Sequence, residues 1–368
     1  MATDKALIEK REELKGRLAA GEFKTLVDVT LDKTGQLIQK ITRNSQSVSH
    51  WSSSTVLYLF FLLLVGVGLF LLGEASSLRE QFSSLPSAFI PMSFLIGYFN
   101  VVIVVAGNNY IHKVFTAFYE SVISSFETVT TLVDFKHWLS FVCNRKLHFI
   151  FSIIVGVILG LYQVFELNAV GANVLWSAAI GSIILNTFAG FFLYLLFHMI
   201  TLSARIRNYH LKLDVTYPAS SEVVSRLSDL LGGFVYLVAI YATIVTFFVA
   251  IQQLLVQLSG FVILLFWLPI LGLFVINQSS LSRIIQRSKQ VTLNEIQAEL
   301  EQLHSSEKLG EKETMETINR LMDYFDRIKR SSNSRIDSGA VLNLINSLIL
   351  PLVALLIGNM DKLLALLK

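Results

Sequence analysis

Charged and uncharged stretches separate almost completely along this chain, and the uncharged ones are long. A helix that crosses a bilayer needs roughly 20 mainly apolar residues. Six stretches meet that need: 55–72, 88–106, 148–165, 173–202, 230–251 and 258–276. None of them has Lys, Arg, Asp or Glu in its interior. A seventh apolar run, 342–358, lies near the C-terminus. The pattern predicts an all-α fold, a polytopic membrane helical bundle of six or seven transmembrane helices with amphipathic helices outside the bilayer.

Between these runs the hydrophobic positions recur at helical spacing. In 107–147, Phe115, Tyr119, Val122, Phe126, Val129 and Val133 fall three and four apart, which predicts one amphipathic face. In 1–53 two helical stretches part near Gly21, and Leu7, Leu14 and Leu18 share a face. In 281–333, Thr292 and Glu295 give a T-x-x-E capping pattern ahead of Leu293, Ile296, Leu300 and Leu303. Met315, Ile318, Met322, Phe325 and Ile328 form a second stripe, so a helical hairpin is expected. It serves either as a helix pair within one subunit or as an oligomerisation module. The organisation that follows is a cytoplasmic helical region 1–53 and a six-helix membrane domain 54–277 that carries the helical loop 107–147. A cytoplasmic hairpin 278–338 comes next, then a seventh helix with an amphipathic tail over 339–368.

Lys and Arg set the orientation, because cytoplasmic loops carry them in excess. The segment before the first run has nine, 107–147 has four, 203–229 has four and 277–341 has ten. The alternating loops 73–87, 166–172 and 252–257 have one, none and none. The expectation is six spans with the N-terminus in the cytoplasm. A spanning seventh run would put the C-terminus outside.

Composition agrees. Hydrophobic residues make up 53% and charged residues 15%, against about 25% charged in soluble domains. Mean hydropathy is +0.60. A net charge of +3, with no basic face in aromatic or Gly-rich context, argues against nucleic-acid binding. The single cysteine, Cys143, can form no intrachain disulfide. The first 50 residues lack the features of a secretory signal.

Small and polar residues within the apolar runs carry the remaining information. Ser152, Gly156 and Gly160 sit four apart, as do Ala178, Ser182, Asn186 and Gly190. Small residues at this spacing let helix backbones approach closely, so helix packing is expected there. Asn186 needs a partner or water at membrane depth, and either bridges helices or lines a wet path. Around the seventh run Gly339, Asn343, Asn346 and Ser347 fall within one arc, ahead of Pro351. Asn343, Asn346 and Ser347 suit a pore-lining face, or a helix buried among polar loops.

Signatures of chemistry are missing. Four of the seven histidines, His112, His148, His198 and His210, lie near the cytoplasmic ends of the runs, but none belongs to an H-E-x-x-H motif or a Cys/His cluster. There is no G-x-S-x-G and no P-loop. Ion-coupled transporters keep ionisable residues in the membrane, and these runs hold no carboxylate, Lys or Arg. No enzymatic activity, metal or cofactor is expected.

Seven spans, an internal N-terminus and a long inner segment before the last helix give a layout similar to that of insect chemoreceptor channels. The signature of that family, a Thr-Tyr pair followed by a Gln-Phe pair in the last span, is absent, so no residue role is carried over. The leading expectation is an oligomeric passive ion channel or pore in a lipid bilayer. The alternatives are a membrane-anchored scaffold that recruits a cytoplasmic protein partner, and a facilitative carrier of an uncharged solute.

Overall fold

The computed structural model of the chain describes residues 2–42, 48–71, 89–169, 176–214, 217–252, 259–305 and 312–332. These residues are helical nearly throughout; among them no strand forms, only an antiparallel bridge between Phe126 and Leu211.

Two N-terminal helices, α1 (Ala2–Ala19) and α2 (Leu26–Thr42), are separated by a turn at Gly21, whose φ of +65° lies in the left-handed region that glycine enters freely. There follow α3 (His50–Leu71), α4 (Phe89–Ala117), α5 (Val129–Val142), α6 (Arg145–Ala169), α7 (Trp176–Ile206), α8 (Glu222–Gln252), α9 (Ser259–His304) and α10 (Lys312–Arg330). Five of these helices, α4, α6, α7, α8 and α9, are long and apolar enough to cross a membrane.

The long helices bundle around α4, α7 and α8, while α6 packs chiefly on α7. The other side of α6 exposes Phe149, Ile150, Ile154, Ile158, Leu161 and Phe165, a continuous apolar stripe that water would penalise and lipid would not. At one end, here called the base, α1, α2 and α5 close the bundle. Leu14 of α1 and Leu31 of α2 are buried in the same core as α4 and α7.

The predicted single face over 115–133 is corrected. After α4 the chain makes a π-turn over Phe118–Val122 and a 3-10 turn over Ile123–Ser125, then extends at Phe126. Thr128 starts α5 afresh, its hydroxyl accepting from the Thr131 N–H at 3.3 Å. A π-turn takes in an extra residue and the break at Phe126 resets the phase, so spacing carried across them misplaces side chains. Tyr119 and Val133 end up exposed. Phe118 instead stacks on Phe135 at 4.4 Å, Phe126 meets Phe135 edge-on, and Trp138 donates its indole N–H to the His198 carbonyl at 2.9 Å.

The capping pattern at Thr292 and Glu295 is corrected as well. No Gly or Pro falls between 273 and 304, so α9 runs on through 46 residues, with Pro269 inside it. Thr292 lies mid-helix, where its hydroxyl donates to the Ser288 carbonyl at 3.2 Å. α10 folds back along the far half of α9, with the Lys289 ammonium on the Ser331 carbonyl. Of its apolar stripe Ile318 and Ile328 are buried, whereas Met315 and Met322 are 46% and 56% exposed. Residues 342–358, with Asn343, Asn346 and Ser347, lie outside the described residues.

Candidate functional site

The base holds the most concentrated buried polar chemistry among the described residues. Thr25 precedes the first turn of α2 and Asp28 lies three residues on, a T-x-x-D spacing. The Thr25 hydroxyl accepts from the Asp28 N–H at 3.2 Å, and the Asp28 carboxylate accepts from the Thr25 N–H at 2.8 Å. This reciprocal box fixes where α2 begins.

The box docks against α4, where Asn108 and His112 stand one turn apart on the same face. Asn108 Nδ2 donates to Asp28 Oδ1 at 2.6 Å, and Thr25 Oγ1 donates to Asn108 Oδ1 at 2.6 Å. The hydroxyl has one hydrogen, and it goes to this shorter contact rather than to Asp28 Oδ2 at 3.1 Å. His112 Nε2 lies 2.8 Å from both Asp28 oxygens. An ionised carboxylate only accepts, so Nε2 carries the hydrogen.

Asp28 is 3% exposed, and Asn108 and Thr25 are fully buried. Burial alone would raise the carboxyl pKa. The donors from His112, Asn108 and Thr25 outweigh it and lower the pKa to about 2. The result is a buried, ionised carboxylate that ties the N-terminal helices to α4.

A second polar layer joins α5 and α6 to α7. The His148 ring stacks on Tyr194 at 4.1 Å, and His198 meets the same ring at 4.4 Å. Tyr194 donates its hydroxyl to the Phe141 carbonyl at 2.6 Å, and His148 Nε2 lies 3.2 Å from the Phe191 carbonyl. These histidines therefore serve as aromatic partners. Nearby, burial pushes the Cys143 thiol up to about 12, so it stays protonated at neutral pH. Among the described residues no group of three or more His, Cys, Asp and Glu could hold a metal ion.

Deeper in the bundle the polar groups bridge helices. Tyr241 of α8 donates to Asn100 of α4 at 2.7 Å, and Tyr110 of α4 donates to the Leu230 carbonyl of α8 at 2.7 Å. Asn277 of α9 donates to the Leu231 carbonyl at 3.0 Å. Asn186 donates to the Ser182 carbonyl of its own helix at 2.9 Å and to the Ser182 hydroxyl at 3.3 Å.

Gly156, Gly160 and Gly190 lie where α6 and α7 touch. A Cβ on Gly156 would come within 2.2 Å of Thr187 Oγ1, and one on Gly160 within 2.8 Å of Ile183 Cα. A Cβ on Gly190 would come within 2.6 Å of the Ser152 carbonyl. Ala178 lies near the start of α7. Sequence reasoning missed Thr25, Asp28, Asn108, Asn100 and Tyr241. The one usable signal was the T-x-x-D spacing at the head of an amphipathic stretch.

No protein-family model matches the chain, and neither does any curated protein or solved structure.

Proposed function

We propose that the chain is a multi-pass integral membrane protein with six or seven spans, its base on the cytoplasmic side, and that it acts as a subunit of an oligomeric passive channel. The observation that carries this reading is how the protomer interior is filled. Asn100 and Tyr241 bond across α4 and α8, and Phe192 of α7 meets the Tyr241 ring at 5.2 Å. Among the described residues those side chains fill the space between α4, α7 and α8, so this reading puts the conducting path between subunits.

Three further observations support it. The apolar runs hold no charged side chain in their interiors, which suits passive movement better than ion coupling. The helices α1 and α2 commit Leu14 and Leu31 to the core of the base, so the buried part of their surface serves the protomer's own fold, while Ile8, Leu37 and Ile41 stay exposed. The α9–α10 hairpin keeps Met315 and Met322 exposed, an apolar edge suited to a second copy. In this reading Asn343, Asn346 and Ser347, outside the described residues, are the candidates to line that path.

The test is native mass spectrometry of the full-length protein, followed by recording in planar bilayers. A closed ring of three or more subunits with discrete current steps is expected, with Asn346→Leu altering the unit conductance but not the subunit count. A stable monomer that passes no current would replace the channel with the scaffold reading.

A further inference from the structure

Several basic side chains around the base have a carboxylate beside them. Arg205 pairs with Asp134 at 2.7 Å, Arg226 with Glu120 at 2.6 Å, Lys136 with Glu13 at 3.0 Å and Lys24 with Asp32 at 2.9 Å. Arg145 and Lys146 differ. Both are exposed at the start of α6, and neither side chain pairs with a carboxylate among the described residues. Arg145 stands near Lys24, whose own charge is taken up by Asp32 at 2.9 Å.

Their surroundings are apolar. Phe141, at the end of α5, is 43% exposed on one side of the pair. On the other side Leu147, Phe149 and Ile150 are exposed and begin the stripe that runs the length of α6. Two unneutralised cations thus stand where that apolar stripe starts, flanked by an exposed aromatic ring. This suits the boundary between acyl chains and headgroups, where apolar side chains meet the chains and cations meet phosphate.

We propose that Arg145 and Lys146 bind the headgroup of an anionic phospholipid of the cytoplasmic leaflet, with Phe141, Leu147 and Ile150 holding its acyl chains. The site rests on the membrane reading of the chain. Its occupant is a bilayer lipid because the charge pair continues directly into the lipid-facing stripe.

The experiment is lipid titration of the full-length detergent-solubilised protein by native mass spectrometry. It uses palmitoyl-oleoyl phosphatidylglycerol and the phosphatidylcholine with the same chains. The wild type is expected to prefer the anionic lipid. Each basic residue near a membrane surface contributes about fivefold, so Arg145→Gln with Lys146→Gln should weaken phosphatidylglycerol binding about thirtyfold and leave phosphatidylcholine unchanged. The exchanged pair, Arg145→Lys with Lys146→Arg, keeps both charges and should retain the preference. Equal wild-type affinity for the two lipids, or unchanged binding by the double glutamine variant, overturns the site. Alkaline carbonate extraction separates the two ideas. Release of the protein from membranes defeats the membrane reading, whereas a retained protein without lipid preference defeats this site alone.

Discussion

Asn108 and Asp28, 80 positions apart in the chain, share a 2.6 Å hydrogen bond inside the base. The bond joins the first turn of α2 to the middle of a long apolar helix. Around it Thr25 and His112 satisfy the rest of the carboxylate, so each member depends on the others.

Asp28→Ala therefore leaves the buried donors on Asn108 and the Thr25 backbone, and the part-exposed His112 ring, without that acceptor. A loss of about 3 kcal/mol is expected. It should appear as a lower melting temperature in detergent and as faster proteolysis within 1–42. An unchanged melting temperature would mean that the cluster contributes no net stability.

The same carboxylate gives a pH dependence with a definite sign. Its folded-state pKa is lowered from 3.8 to about 2. The stabilisation is complete above the unfolded value and drains away as pH falls towards the folded one. About 2 kcal/mol is at stake. The melting-temperature gap between wild type and Asp28→Asn should stay constant near neutral pH and close between about pH 4 and pH 2. A gap that does not change with pH would remove the ionised carboxylate from the account.

Two glycine substitutions should behave oppositely. Gly190→Ala brings a Cβ to 2.6 Å from the Ser152 carbonyl and 2.7 Å from its Cα, so backbone must move and α6 separates from α7. A loss of about 1–3 kcal/mol is expected. Gly232→Ala meets nothing within 4 Å in the interior of α8, and alanine is the better helix former by about 1 kcal/mol. Thermal melts of both variants in one detergent check the contrast; equal effects would contradict it.

The exposed stripe on α6 offers a direct test of its environment. Ile158 is 61% exposed and lies near the middle of that helix. Lysine there should cost about 2.5–3.5 kcal/mol of insertion free energy. The fraction of α6 inserted, read with a glycosylation reporter, should fall accordingly. Normal insertion of Ile158→Lys would show that this face meets water or protein.

The long apolar helices were legible because their signal is additive: some twenty uncharged residues in a row outvote any local propensity. The small-residue rows of α6 and α7 were legible for a related reason, since helix periodicity alone brings Ser152, Gly156 and Gly160 onto one face. The base was not. Asp28 reads in sequence as an ordinary carboxylate on a polar helix, and its burial is decided by Asn108 and His112, far along the chain. The turn after α4 escaped because hydrophobic spacing assumes a constant helical period, and the π-turn at Phe118–Val122 breaks it. At Thr292 the sequence supplied a cap, but nothing upstream stopped the helix, so the cap had no end to satisfy.

The unbroken course of α9 has a mechanical meaning. At 1.5 Å per residue its 46 residues extend about 69 Å, more than twice the hydrocarbon thickness of a bilayer. In the membrane reading proposed above, the part beyond Arg283 is free of lipid, and about 30 Å of helix acts as a lever arm with its pivot near the membrane surface. A tilt of about 10° in the lipid-embedded half sweeps the far end through about 5 Å, a full helical pitch. Small reorientations within the bilayer thus arrive at α10 as displacements large enough to change which faces meet.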